Sequence, residues 1–304
     1  MGAPPPSASG PVRRPITSRA DALARAHGIA DAVDRAWQAS HYRSGDYAIP
    51  VSVLAALALR TPPDDAQDRA RVARRLRAAD NDQLLAFLRA TWAMYVEVRP
   101  DLAHRVTVLA EPWVDRTPDP AILDVARRIV RAALDAGLHE LLAAARYEVD
   151  LFGPLLMVLR TKSARAARGQ FYTPPDIAVL LARLGGRAPQ PGERVVEPTA
   201  GTGGLLRAVA MNVRDAGGDP RSLYWVAVDT DALALAACAV NAVIWDLGPH
   251  VLIALGDVLT DDAWQDRALA ERAETLTLIR DARAARSLLN FLRRLDSGDD
   301  HEVP

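Results

Sequence analysis

The chain has 304 residues, half of them hydrophobic and a quarter charged, with a formal net charge of −1 and a pI near 6.6. This length and hydrophobic content fit one large or two ordinary folded domains and exclude a disordered chain. The near-zero charge excludes a global basic field, so any contact with nucleic acid has to be local or shared with a partner.

Disulfide, metal and membrane functions have no support in the composition. Cys238 is the only cysteine, and the six histidines have no ligand spacing, so we expect neither a disulfide framework nor a metal site. No apolar run is long enough to span a bilayer, and the first 15 residues lack the apolar core of a signal peptide. We therefore expect a soluble cytoplasmic protein with no membrane partner.

The first half of the chain has the pattern of an arm followed by helices. Residues 1–16 are rich in Pro, Ser and Gly, which predicts a flexible arm. Over residues 17–165 apolar residues recur at helical spacing, as in SRADALARAHGIADAVDRAW, and TPPDD and RTPDP fit helix starts or turns. This stretch predicts a helical N-terminal domain.

From about residue 190 short apolar strands alternate with helices. ERVVEP, LYWVAVD and VLIALGD predict three strands, and each ends at an acidic residue. TGGLLRAVAMNVRDAGG and DALALAACAVNAVIW predict the helices between these strands. Such βαβ units indicate an α/β fold with a parallel sheet and a ligand site at the carboxyl ends of the strands, where the acids lie.

The segment after the third strand has a different composition. DRALAERAETLTLIRDARAARSLLNFLRRL is rich in Ala, Leu, Arg and Glu and lacks Pro and Gly, which predicts one or two helices. TLTLI (Thr275–Ile279) is its only strand-like stretch. Residues 166–296 are thus expected to form a second domain, and residues 297–304 an acidic tail.

The stretch VVEPTAGTGG joins the first strand to the next helix. Its glycines, Gly201, Gly203 and Gly204, can adopt positive φ and let backbone N–H groups approach a ligand, although a tight turn explains them equally well. The pattern is neither a dinucleotide fingerprint nor a phosphate loop. Asp229 after the second strand suits the hydroxyls of a ribose, and Asp257 after the third suits an exocyclic amine such as that of adenine. An adenosine-containing ligand fits these positions.

Four segments together resemble one family. RGQFYTP (Arg168–Pro174), VVEPTAGTGG, VAVDTDALALAACAVNAVIWDLG and ALGDVLTD occur in the order and spacing of the DNA methyltransferases that methylate adenine N6. The chain is most similar to the modification subunits of type I restriction-modification systems, over roughly residues 20–262. The resemblance implies a helical N-terminal domain followed by a Rossmann-like domain that binds S-adenosylmethionine (SAM). It also implies DNA as a partner, reached through a complex with a specificity subunit or a complementing methyltransferase subunit.

The same resemblance implies the residues of the cofactor site. In the family the GQFYTP segment begins a helix over the methionine end of SAM, and the glycine loop cradles the same end. The acid after the second strand binds the ribose, and the acid after the third accepts a hydrogen bond from the adenine amine. The implied cofactor-binding residues are Phe171, Tyr172, Thr173, Glu197, Thr199, Gly201, Gly203, Gly204, Asp229 and Asp257.

The start of the GQFYTP helix can also be predicted from the residues themselves. Thr173 fits an N-cap, Pro174 the first helical position, and Asp176 a box-like arrangement three residues after Thr173. Phe171 or Tyr172 would then flank the cofactor cleft. The alternative is a plain helix start with an aromatic residue in the core.

The sequence departs from the family where methyl transfer is expected. The family has Asn or Asp followed by Pro-Pro and an aromatic residue, a motif that grips the target amine and stacks on a flipped base. No such motif follows Asp257, so we assign no catalytic residue and expect a truncated methyltransferase domain. Thr230 also replaces an apolar residue that the family packs against the adenine ring, which implies weaker cofactor binding.

Three functions remain open at this point. The chain is a DNA adenine methyltransferase that another polypeptide completes, a non-catalytic SAM-binding or DNA-associated module, or a relic that serves as an interaction surface. The basic cluster of Arg160, Lys162, Arg165 and Arg168 is the expected local contact with DNA.

Overall fold

A computed structural model describes residues 15–39, 46–60, 65–115, 117–160 and 173–297. Up to residue 160 these are helical, as the spacing of apolar residues predicts, and they include a short 3-10 helix, Pro100–Arg105. The helices are α1 (Arg19–Gln38), α2 (Ala48–Leu59), α3 (Ala66–Ala78), α4 (Asn81–Val98), α5 (Thr107–Val114), α6 (Pro120–Asp135), α7 (Leu138–Ala145) and α8 (Phe152–Leu159). The predicted domain boundary near residue 165, the arm up to residue 14 and the tail beyond residue 297 lie outside the described residues.

Helix α2 is the centre of the helical part. Its sequence AIPVSVLAALAL is apolar on every side, and its residues from Ala48 to Ala58 are buried. A helix with no polar face is stable only when other helices surround it. Among its neighbours, α6 turns a row of apolar residues toward the core and α1 begins at the N-cap Ser18, whose side chain accepts from the Asp21 amide.

The second part contains a small parallel sheet, which confirms the predicted α/β class. The strands are β1 (Arg194–Glu197), β2 (Tyr224–Asp229) and β3 (Val251–Leu255), in the order β1-β2-β3. The helices are α9 (Pro175–Leu184) before β1, α10 (Gly204–Asp215) after it, α11 (Ala232–Ile244) after β2 and α12 (Trp264–Ser297) after β3. A second 3-10 helix, Pro220–Ser222, precedes β2.

Helix α12 includes the TLTLI stretch, so that segment is helical and forms no strand. Ala268 and Trp264 of this helix pack with Val226 and Val228 of β2 in a small apolar cluster. The Arg105 side chain donates to the carbonyl of Ile253 in β3 (2.8 Å) and pairs with Glu271 of α12. The helix therefore shields the sheet next to β3.

One hydrophobic core extends through both parts of the chain. Hydrogen bonds also cross between them; among these, the Tyr95 hydroxyl donates to the Ala239 carbonyl (2.9 Å), and the Trp245 indole donates to the Val149 carbonyl (2.9 Å). Burial raises the pKa of Tyr95 and of the Cys238 thiol, so both groups stay neutral at physiological pH.

None of the helices described is long and apolar enough to cross a membrane. The described side chains also contain no group of three or more His, Cys, Asp or Glu placed to hold a metal ion.

Candidate functional site

A cavity of about 540 Å³ lies at the carboxyl ends of the strands, bordered by α1, α8, α9 and α10. The predicted site residues that line it are Thr173, Thr199, Gly201, Gly204, Asp229 and Asp257. Glu197 and Gly203 do not line it, and Phe171 and Tyr172 lie outside the described residues. Residues that follow three different strands therefore meet at one cavity.

Asp229 anchors the glycine loop, the segment between β1 and α10 that contains Gly201 and Gly203. Its Oδ2 accepts a hydrogen bond from the Gly201 amide (2.7 Å), and its Oδ1 accepts from the Asp231 amide (2.9 Å). The loop turns at Gly201, which has φ +52°, and the Ala200 amide donates to the Val228 carbonyl (2.8 Å). A carboxylate has about four acceptor positions, so Asp229 keeps capacity for further donors on its cavity side.

Asp257 stands two residues beyond the end of β3. Its Oδ1 accepts from the Leu259 amide (2.9 Å), which fixes the side chain in a turn. The adjacent Gly256 amide donates to the Asp229 carbonyl (3.0 Å), so the ends of β2 and β3 are held together. Both carboxylates thereby have defined positions in the cavity wall.

Glu197 and Gly203 shape the loop from outside the cavity. Glu197 Oε1 accepts from the Thr199 amide (3.1 Å) and from its hydroxyl (3.0 Å). Gly203 has φ +93°, and a Cβ there would lie 3.0 Å from the Trp245 ring and 3.1 Å from Cys238 Sγ. These two residues therefore act on the loop conformation rather than on the cavity surface.

Gly203→Ala is expected to lower the free energy of unfolding by about 2 kcal/mol, because a left-handed conformation disfavours side chains and the new methyl group has no room. Gly204→Ala is the matched control, since a Cβ at Gly204 meets no atom within 4 Å. That variant should be as stable as the unmodified chain or slightly more stable. Urea unfolding of the three proteins measures the difference, and equal losses in both variants would contradict this account.

Asp150, which precedes α8, also holds the loop in place through hydrogen bonds. This residue was missed in the sequence analysis. Asp150 Oδ2 accepts from the Thr202 hydroxyl (2.5 Å), and Oδ1 accepts from the side-chain amide of Asn241 (2.9 Å). Oδ1 also accepts from the amides of Phe152 (2.9 Å) and Gly153 (3.2 Å). An Asp just before an apolar helix is a visible N-terminal signal, but its partners at positions 202 and 241 are visible only in the fold.

Arg207 is a second missed residue. It lies in the apolar stretch LLRAVA of α10, is 1% exposed and lines the cavity. Its Nη1 donates to the Glu148 carbonyl (2.7 Å) and contacts Met211 Sδ (2.8 Å). Burial lowers the pKa of this guanidinium, and the Asp150 carboxylate acts in the opposite direction. A charged residue within an amphipathic helix is a weak sequence signal, since most such residues face solvent.

The predicted N-cap at Thr173 is wrong by one residue. Helix α9 begins at Pro175, its N-cap is Pro174, and no side chain caps it. Pro174 is extended (φ −54°, ψ 141°) because the following proline disfavours a helical conformation in the residue before it. Thr173 lines the cavity nonetheless.

The prediction that Arg160 contacts DNA is also wrong. Arg160 is 3% exposed and its Nη1 pairs with Asp231 Oδ2 at 2.5 Å, so its charge is directed into the protein. Lys162, Arg165 and Arg168 lie outside the described residues.

Comparison with known proteins found a matching family model and a similar solved structure. Residues 149–275 match the family model of N-6 DNA methylases, and no curated protein matches the chain. A solved structure, the methyltransferase subunit of a type I restriction-modification system from Streptococcus thermophilus, is similar at 14% identity and a TM-score of 0.44. The match covers 81% of this chain and 60% of that subunit, so this chain corresponds to less than two thirds of it. The resemblance to N6-adenine DNA methyltransferases is thus confirmed by the match of residues 149–275 to the N-6 DNA methylase family.

Proposed function

We propose that this chain binds SAM in the cavity described above and takes part in adenine-N6 methylation of DNA, in a restriction-modification context. One observation carries the proposal. The glycine loop and the acids after β2 and β3 line a single cavity within the region that matches N-6 DNA methylases. A volume of about 540 Å³ is also within the range of small-molecule sites.

The cavity residues fit the parts of SAM. Asp229 has acceptor capacity for ribose hydroxyls, and Asp257 accepts from the adenine amine. Gly201 and Gly204 let the backbone approach the methionine part without a Cβ, and Thr173 and Thr199 line the same cavity. Bound SAM supplies a methyl group that its sulfonium activates for transfer. These roles make the second part of the chain a Rossmann-like, SAM-binding domain.

Thr230 lines the cavity where the family commonly has an apolar residue. Val258 and Leu259 line it next to Asp257, and Ala234 lies in the same wall. We propose that these side chains supply the apolar contact for the adenine ring. A threonine at position 230 then weakens SAM binding without preventing it.

Methyl transfer makes a further chemical demand. The exocyclic amine of adenine is a poor nucleophile because its lone pair is delocalised into the ring, so hydrogen-bond acceptors have to orient it. The 304 residues contain no Asn or Asp followed by Pro-Pro and an aromatic residue, and α12 follows directly after Asp257 and its turn. We propose that a second polypeptide supplies this motif and the recognition of the DNA sequence.

The purified chain is therefore expected to bind SAM and to leave DNA unmethylated. Calorimetry with SAM measures the first property, and incorporation of labelled methyl groups into mixed-sequence DNA measures the second. Losing the oriented acceptors raises the barrier by several kcal/mol, and each 1.36 kcal/mol is about tenfold in rate. Absence of SAM binding at high protein concentration overturns the first half, and formation of N6-methyladenine by the chain alone overturns the second.

A non-catalytic module is the second candidate function. The observation that favours it is α12, a single helix of 34 residues that packs on the sheet at the point where the family continues with its catalytic motif. Under this function SAM would change the affinity of the chain for DNA or for a partner, with no methyl transfer in any mixture. Measurement of DNA binding with and without SAM separates the two candidates.

A further inference from the structure

Arg207 is a buried cation with donors left over. Its side chain is 1% exposed and lines the cavity, yet Nε has no hydrogen-bond partner. No carboxylate of the described residues forms an ion pair with this guanidinium; Asp150, whose charge raises the pKa of Arg207, is hydrogen-bonded to the Thr202 hydroxyl and the Asn241 amide. Burying an arginine without a counter-charge is unfavourable, and an anionic group that enters the cavity would supply one.

The sheet order determines where this cation lies relative to the two acids. Helix α10, which carries Arg207, follows β1, whereas Asp229 ends β2 and Asp257 follows β3. Since the strands are ordered β1-β2-β3, Arg207 belongs to the end of the cavity farthest from Asp257. If SAM places its adenine amine at Asp257 and its ribose at Asp229, its methionine part is directed toward Arg207.

We propose that Arg207 binds the α-carboxylate of the methionine part of SAM. This inference rests on the proposed function and adds a residue to its site. Arg207 is the fourth residue of α10, the helix that follows the glycine loop. The bond from Nη1 to the Glu148 carbonyl holds the side chain in place, and Nε has no hydrogen-bond partner in the protein.

The test compares SAM with decarboxylated SAM, which keeps the adenine, ribose, sulfonium and amine but lacks the carboxylate. Calorimetry should show that the unmodified chain binds SAM about tenfold or more tightly than the decarboxylated ligand. Arg207→Met should lose most of this preference, because its affinity for SAM falls while its affinity for decarboxylated SAM changes by less than about threefold. Arg207→Lys should keep part of the preference, since it retains the charge without the planar guanidinium.

Arg214→Met is the matched control. Arg214 belongs to the same helix and packs over the Tyr147 ring, but it does not line the cavity. This variant should keep the full preference for SAM, and melting temperatures of all variants report whether they are folded. The preference of the unmodified chain requires no variant, so it tests the inference even if Arg207→Met fails to fold.

The outcomes separate this inference from the proposed function. If the unmodified chain binds both ligands equally, or if Arg207→Met weakens both by the same factor, Arg207 does not contact the carboxylate while SAM binding stands. The same loss of preference in Arg214→Met likewise overturns the assignment to Arg207. Binding of neither ligand overturns the proposed function and this inference together.

Discussion

Asp229→Ala is expected to abolish measurable SAM binding, with a loss of affinity of about 100-fold or more. The carboxylate holds the Gly201 amide at 2.7 Å and the Asp231 amide at 2.9 Å, so its removal releases the glycine loop. It also removes the acceptor proposed for the ribose hydroxyls. Hydrogen bonds to a charged group contribute about 1.5–3 kcal/mol each, and two of them account for a loss of this size.

Two further variants make the Asp229 result specific. Asp229→Asn keeps one acceptor oxygen and should bind SAM with intermediate affinity. Asp215→Ala removes an exposed acid from the end of α10 and should bind SAM like the unmodified chain. Calorimetry measures all three affinities. Unchanged SAM binding by Asp229→Ala would show that the ribose assignment is wrong, although the fold would stand.

Asp150→Ala should lower the free energy of unfolding by about 3 kcal/mol or more. The change leaves the Thr202 hydroxyl without its acceptor and the Asn241 amide with the Thr202 carbonyl as its remaining acceptor, and both residues are 1% exposed. It also removes the acceptor of the Phe152 and Gly153 amides. Each buried polar group left without a partner costs about 1–3 kcal/mol. Urea unfolding followed by circular dichroism measures the effect.

Asp150→Asn is the conservative variant for this position. Its carbonyl oxygen can still accept from the backbone amides at the start of α8, and the Thr202 hydroxyl can rotate to accept from its amide group. The loss should therefore be less than half of that in Asp150→Ala. A loss below 1 kcal/mol in the alanine variant would mean that the loop finds other partners and that the network adds little stability.

Much of the second part could be predicted from the sequence because its signals are local. The three strands are short apolar runs closed by acids, and the helices between them follow a glycine turn and an N-cap. Parallel strands bring their carboxyl ends to one edge, so the positions of Asp229 and Asp257 in one cavity follow from the pattern. Their roles toward a cofactor remain proposals.

The rest of the site depends on contacts that no local pattern reports. Asp150 contacts Thr202 and Asn241 across 52 and 91 residues of chain. Asp, Thr and Asn occur in many structural contexts, so their identity alone does not predict these contacts. Arg207 is buried and donates to the Glu148 carbonyl in the segment before α8, a contact that the charge pattern of α10 alone does not indicate. The N-cap at Thr173 was misplaced because Thr-Pro-Pro offers two proline positions, and only the second starts the helix.

The uninterrupted core described above has a consequence for cooperativity. Helix α11 packs against both the sheet and α2, and Tyr95 is bonded to its backbone, so neither part can unfold without exposing apolar surface of the other. Unfolding is then a single transition for the described residues, and a ligand that occupies the cavity stabilises α2 as much as the glycine loop. Protease cleavage sites in the helical part, distant from the cavity, would report occupancy of the cavity as faithfully as any residue that lines it.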